Sequence, residues 1–259
     1  MQISGNTILL TGGTSGIGME LARQLLARGN TVIITGRDEA RLEGAKAVLP
    51  GVHTFRSDVS NPADIEALHR HVTAEFPALN MLINNAGIMR RLNLTEISDD
   101  ITDVTREVVT NLQGPIQMVQ QFLPHLKAQP RAAILNVSSG VAFLPLPISP
   151  IYCAAKSGLH FYTMSLRAQL KYTDVKVFEL CPPATSTPLL DHFPADDMGG
   201  VPLMPVEKMV AVAVRGLERD QYEIRPGSAN LLKLMSRIAP GFMFGMLSKS
   251  VDTMVKPAR

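Results

Sequence analysis

Along most of the chain, short unbroken apolar runs alternate with longer segments whose apolar residues recur every three or four positions. The runs predict strands at Thr7–Leu10, Thr31–Thr35, Gly51–Arg56, Met81–Asn84, Ala133–Val137 and Val175–Leu180. Strands without an exposed polar face belong in a parallel sheet covered by helices on both sides. Between the first two, Ile17, Leu21, Leu25 and Leu26 share one face of a helix over Gly16–Arg28, which Gly29 ends. A second helix is expected over Arg37–Val48, and Asn61-Pro62 opens a third with Ile65, Leu68 and Val72 on one side. Thr102–Leu126 reads as one long helix that Gly114-Pro115 kinks or divides, and Ser157–Leu170 as another, rich in Leu and Met. Strand and helix alternate as repeated βαβ units do. The fold class is therefore α/β: a single-domain doubly wound Rossmann fold, with a central, mostly parallel sheet, over residues 1–259.

Two regions break the pattern. Pro182–Pro205 holds six prolines and Gly199-Gly200, which predicts either a loop over the substrate or a plain surface connection. The tail, Asn230–Val255, is amphipathic, mixing Leu, Met, Phe and Ile with Lys233, Arg237 and Lys249 around a break at Pro240-Gly241. Packing on the body or on a second subunit is the expected use of such a face; closing over an apolar substrate and peripheral contact with a membrane surface are the alternatives. Hydrophobic residues make up 46% of the chain and Trp is absent, so the core is one of Ile, Val, Leu and Met. With 25 basic and 23 acidic side chains, the charge balance carries no nucleic-acid footprint. Cys153 and Cys181 read as ordinary reduced thiols, and the six histidines are scattered without a metal-ligand set. No apolar stretch is long enough to span a bilayer and no basic leader precedes the first strand, so a cytoplasmic protein is expected.

The candidate chemistry gathers at the ends of the predicted strands, where a doubly wound sheet opens its ligand crevice. After the first strand, Thr11-Gly12-Gly13-Thr14-Ser15-Gly16-Ile17-Gly18 leads into a helix. Gly12 permits a tight turn, Gly16 lets backbone approach a pyrophosphate, and Gly18 lets the helix pack near the sheet, with helix amides facing the phosphates. Thr11, Thr14, Ser15 and Ile17 belong to the same cofactor-binding run. Three residues, rather than the commoner one, separate Gly12 from Gly16. At the end of the second strand stands Arg37, whose guanidinium suits the 2′-phosphate of NADP; if Asp38 takes the adenosine ribose instead, NAD is favoured. Asp58 and Val59 follow the third strand, and Asn84-Asn85-Ala86-Gly87 ends the fourth, with Asn85, Ala86 and Gly87 as cofactor contacts.

Tyr152 and Lys156 lie four residues apart and share a face if a helix begins there. An ammonium favours the phenolate of a neighbouring tyrosine, which makes Tyr152 usable in proton transfer. Ser139, at the end of the fifth strand, is placed to orient a substrate oxygen, with Ser138 as its neighbour. Asn111 either holds a water in a proton path or bridges backbone groups.

Together these residues resemble the short-chain dehydrogenase/reductase family over nearly the whole chain. Its glycine motif matches Gly12, Gly16 and Gly18, its Asn-Asn-Ala-Gly motif matches Asn84 to Gly87, and its catalytic asparagine, serine, tyrosine and lysine match Asn111, Ser139, Tyr152 and Lys156. The resemblance implies that Tyr152 exchanges the proton, Ser139 orients the substrate, Lys156 holds the nicotinamide ribose and tunes Tyr152, and Asn111 keeps a water-linked proton path. It also implies cofactor contacts from Pro182, Thr185 and Thr187. Pro182-Pro183 stands where the family usually has Pro-Gly, and Glu179-Leu180-Cys181-Pro182-Pro183 is similar to the DltE-like branch. NADP is the expected cofactor, with NAD possible.

An apolar carbonyl or alcohol substrate follows from Val141, Phe143, Leu144, Leu146 and Ile148 before Tyr152, and from Leu189, Leu190, Phe193, Val201, Leu203 and Met204 in the loop. A homodimer or homotetramer is expected through the helices of Asn111 and Tyr152, with Leu159, Phe161, Met164 and Leu166 facing a partner. Met118, Val119, Phe122 and Leu123 suit either that interface or the core. Two other classes compete: a non-catalytic nucleotide-binding protein, and a hydrolase using Ser139, for which no His-Asp partnership is evident.

Overall fold

The predicted apolar runs all become strands, most of them buried on both faces; β3, at the sheet edge, is half-exposed. The computed structural model describes residues 1–96, 100–194, 197 and 202–255. Among these residues seven strands form one sheet: β1 (Thr7–Thr11), β2 (Thr31–Gly36), β3 (His53–Arg56), β4 (Leu79–Asn84), β5 (Ala132–Val137), β6 (Val175–Leu180) and β7 (Glu223–Ile224). Their order is β3-β2-β1-β4-β5-β6-β7, with every pairing parallel. Gly51, expected in β3, belongs instead to the preceding turn, where its φ of +83° is open to glycine at no steric cost.

Alternation along the strands divides the core in two. Ile8, Leu10, Ile34, Leu135 and Phe178 pack under α1 (Gly16–Leu26), α2 (Glu39–Val48) and α8 (Val206–Glu218). Leu9, Ile33, Leu82, Ile134 and Val177 pack under α3 (Pro62–Glu75), α6 (Gly114–Lys127) and α7 (Pro150–Gln169). Met118, Val119 and Phe122 belong to this second core. Fully burying one such side chain contributes about 1.5–3 kcal/mol, so these three anchor α6 on the sheet.

Three helix boundaries differ from expectation for local reasons. α2 begins at Glu39, because Asp38 caps it through the Arg41 amide (3.1 Å) and leaves Arg37 outside the helix. The single helix expected over Thr102–Leu126 is divided into α4 (Ile101–Val104), α5 (Arg106–Val108), a π-helical turn (Val109–Gln113) and α6. The irregularity thus precedes Gly114-Pro115, and Pro115 sits in the first turn of α6, where a missing N–H costs nothing. α7 starts seven residues before the predicted Ser157, with Pro150 in its first turn, and so takes in Tyr152 and Lys156. The tail forms α9 (Ala229–Ile238) and α10 (Pro240–Val255), broken at Ala239 as expected. Among the described residues, no helix is long and apolar enough to cross a membrane.

Candidate active site

A cavity of about 540 Å³ opens at the carboxyl ends of β1, β2, β4 and β5, and it brings together nearly every residue singled out above. At one end the wall is backbone. Gly12 has a φ of +69°, and a Cβ there would lie 2.7 Å from Ala86 Cα. A Cβ on Gly18 would lie 2.1 Å from the Gly12 carbonyl oxygen and 2.5 Å from Asn85 Nδ2. Gly18 therefore lets α1 close on the turn itself, where the Asn85 amide donates to the Thr11 and Gly12 carbonyls (3.0 and 2.9 Å). The Ser15 side chain makes no cap, which leaves the first amides of α1 facing the cavity without a side-chain acceptor.

Thr14, Ser15, Gly16, Ile17 and Gly18 line this end, with Arg37, Asp58, Val59, Asn85, Ala86 and Gly87. Thr11 does not: it is buried behind the wall, its hydroxyl accepting from the Asn85 and Ala86 amides (3.0 and 3.1 Å). The Asp58 carboxylate holds the Ser60 hydroxyl and amide (2.6 and 2.9 Å). Arg41, Ser57 and Thr110 also line the cavity and were not singled out from sequence. Arg41 lies one helical turn beyond Arg37, the only signal that would have found it.

At the other end the wall is made of side chains. α7 presents Tyr152 and Lys156, 6% and 4% exposed, with the Lys156 ammonium 5.7 Å from the Tyr152 ring centre. Lys156 Nζ donates to the Val137 carbonyl (2.8 Å) at the end of β5, and Ser139, two residues on, lines the cavity beside Tyr152. Burial pushes the phenol pKa well up; the Ser139 hydroxyl opposes that, and the Glu107 carboxylate adds to it. Burial also lowers Lys156 to about 8, against the negative charge of Glu179, which raises it. Cys153 is pushed up to about 11 by burial and is an inert thiol at neutral pH.

Asn111 lies behind this wall, fully buried in the π-helical turn. Its amide group accepts from the Ile88 amide (2.9 Å) and donates to the Ile88 carbonyl (2.7 Å), so the side chain bridges backbone groups. Gly87 passes directly over it: a Cβ there would meet Asn111 Oδ1 at 3.1 Å and Lys156 Nζ at 3.6 Å.

The segment from Pro182 roofs the cavity with Pro182, Thr185, Thr187, Leu189 and Leu190, and Thr187 lies against Gly16. Two ties hold it: Met204 bridges back to Thr185, and buried Asp197 pairs with Arg91 at 2.5 Å. Of the expected apolar pocket residues, Val141, Leu146, Leu189 and Leu190 reach the cavity, joined by Ile88 and Met89. Leu144, Ile148 and Phe193 are buried, Met204 packs on the core, and Phe143 packs against Lys233 and His160. Leu203 is 45% exposed, and Val201 lies outside the described residues.

Backbone amides at a bare helix start, glycines that admit no Cβ, and two guanidinium groups fit a phosphorylated dinucleotide, and the buried Tyr-Lys-Ser cluster fits proton transfer at its far end. Residues 6–197 match the family described as short chain dehydrogenase. The uncharacterized oxidoreductase DltE of Bacillus subtilis (strain 168) is 42% identical over 226 residues, which is 86% of this chain and 89% of its own length. A short chain dehydrogenase from Burkholderia cenocepacia J2315, solved in complex with NADP, matches with a TM-score of 0.82 at 25% identity, over 99% of this chain and 100% of that one. The 3-ketoacyl-(acyl-carrier-protein) reductase from Brucella melitensis, solved with NADH, matches with a TM-score of 0.75 at 28% identity, over 83% of this chain and 91% of that one. The chain belongs to the short-chain dehydrogenase family of NAD(P)-binding oxidoreductases.

Proposed function

We propose that the protein reduces an apolar ketone, or oxidises the matching secondary alcohol, with NADP as its preferred cofactor and Tyr152 as the proton-transferring group. One observation carries this reading: Tyr152, with Ser139 beside it and Lys156 one turn away, faces the same cavity that ends in the glycine turn and Arg37. The nicotinamide, when bound, supplies or accepts the hydride. Tyr152 gives its phenolic proton to the carbonyl oxygen, and burial keeps that proton in place until it is needed. Ser139 orients the same oxygen. Lys156 would hold the nicotinamide ribose, and its charge favours the phenolate of Tyr152. Pro182, Thr185 and Thr187 line the cavity where they would border the nicotinamide, and Asn111 holds the π-helical turn against Ile88.

Preference for the 2′-phosphate is supported by Arg37 and Arg41 together on the cavity wall, while the Asp38 carboxylate is already engaged by α2. Apolar substrates are supported by Val141, Leu146, Leu189 and Leu190. The segment 182–205 acts as the substrate loop. A homo-oligomer joined along α7 is part of the reading: Phe161 and Met164 are 65% and 46% exposed, while Leu159 and Leu166 are spent on the protein's own core. A cytoplasmic setting is supported by two free, buried thiols. Titration of the purified protein with NADPH and NADH, followed by nicotinamide emission, tests the central claim. Much tighter NADPH binding is expected; equal or tighter NADH binding would overturn the phosphate assignment, and binding of neither would overturn the function.

A further inference from the structure

Beneath the reacting groups, the sheet face covered by α7 changes from apolar to polar at one level. Ile134 and Val177 pack into the apolar core with Leu166. One step toward the cavity, Asn136 stands beside Glu179 in the strand register, and beyond them Ser138 lies beside Cys181 (Oγ–Sγ 3.3 Å). α7 answers each polar group in turn: Thr163 accepts from Asn136 (2.9 Å), His160 donates to Glu179 (Nδ1–Oε2 2.8 Å) and Lys156 donates to Val137. Tyr152, Lys156 and His160 are spaced i, i+4, i+8 and share one helix face.

Glu179 is fully buried and accepts from both sides of this junction, from the Ser138 hydroxyl (2.5 Å) on β5 and from His160 on α7. A carboxylate with no exposed surface is costly unless charge and hydrogen bonds compensate it. The cation of Lys156, one turn of α7 away from His160, has the same problem, since its protein acceptor is a single neutral carbonyl. We propose that Glu179, held by His160 and Ser138, is a positioning residue: it locks α7 to the end of β5 so that Lys156 stays on the Val137 carbonyl, and it serves that side chain as a buried counter-charge. The proposal rests on the reading of Tyr152 and Lys156 given above.

The other ionisable groups here do not take over that role. On β7, Glu223 is paired with Lys233 of α9 (2.6 Å) and Arg225 (3.1 Å). Cys181 is held protonated by burial, which pushes its thiol well up. From α5, Glu107 is tied to Arg90 through that residue's amide (2.8 Å) and acts on Tyr152 rather than on Lys156. In contrast, the charge acting against the desolvation of Lys156 is that of Glu179.

The test is the titration of Lys156 itself, followed by NMR on protein carrying carbon-13 at the lysine side chains, with the signal assigned by its loss in Lys156→Met. In the unaltered protein the midpoint is expected at about 8. Glu179→Gln is expected to lower it by about one pH unit, a tenfold loss of proton affinity, and Glu179→Asp to restore most of it. An unmoved midpoint in folded Glu179→Gln overturns the proposal. If that variant does not fold, the double replacement Glu179→Met with His160→Leu exchanges the pair for apolar side chains of similar size, and the same drop or its absence decides. NADPH and NADH titration of the unaltered protein separates the two readings: a lysine shift without cofactor binding keeps the charge assignment and removes the function.

Discussion

The two ends of the cavity solve their problems by opposite means. The glycine-turn end is defined by missing side chains: Gly12, Gly16 and Gly18 admit the backbone and the bare start of α1, and the guanidinium groups beside them, Arg37 and Arg41, stand in solvent. The Tyr152 end is defined by side chains withdrawn from solvent and supported from behind by Asn111, Val137, Ser138 and Glu179. A backbone-built site is tolerant of what surrounds it and intolerant of any added atom. The buried-side-chain site is the reverse, since its groups keep their chemistry only while a layer of partners holds them.

Four substitutions break or sharpen that contrast. The largest effect is expected for Tyr152→Phe, which removes one hydroxyl and no volume: turnover falls by roughly 10²–10⁴-fold, while NADPH binding by fluorescence titration stays close to that of the unaltered protein. Comparable loss of both would mean that the two ends are not separable. Gly18→Ala, at the opposite end, forces a methyl onto the Gly12 carbonyl. Overpacking of this kind destabilises by about 1–3 kcal/mol, read as a lowered melting temperature together with weakened binding of both cofactors. Arg37→Ala is expected to weaken NADPH binding roughly tenfold, the loss of one charge-assisted contact, and to leave NADH binding unchanged; a matching loss for NADH would give Arg37 a role in shape rather than in phosphate recognition. The smallest effect belongs to Gly44→Ala in α2, where a Cβ meets nothing within 4 Å. Removing glycine from a helix interior stabilises by about 0.5–1 kcal/mol, so thermal melting should rise slightly and binding should not change.

The same contrast explains what could be read before the fold was seen. Strands buried on both faces announce themselves as apolar runs, so β1, β2, β5 and β6 were legible to within a residue, while β3 and β4 each begin two residues from the expected start. β7 has two residues and no pattern to find. α8, outside the expected helices, carries a helical spacing at Met209, Val210, Ala213, Val214 and Leu217 directly after the proline-rich segment. In the site, the glycine turn and the Tyr-Lys pair are local spacings, each complete within eight residues or fewer. Arg41 stands four residues beyond Arg37, one turn on in the helix expected over Arg37–Val48, and that spacing was legible. Glu107, Glu179 and His160 were hidden for a deeper reason, because their meaning depends on which strand lies under which helix. Ser138 and Glu179 are 41 residues apart and meet only through the pairing of β5 with β6.

The π-helical turn at Val109–Gln113 amounts to one residue too many for a regular helix. Each residue of an α-helix turns the chain by about 100°, so a single deletion anywhere in that turn would restore ideal geometry and rotate everything before it relative to α6. Glu107 would leave the Arg90 amide, and an asparagine at the Asn111 level would face away from Ile88. The chain is thus phase-locked at this point: substitutions there test a contact, whereas a change in length tests the frame of the site, and a more regular helix would be the less functional one.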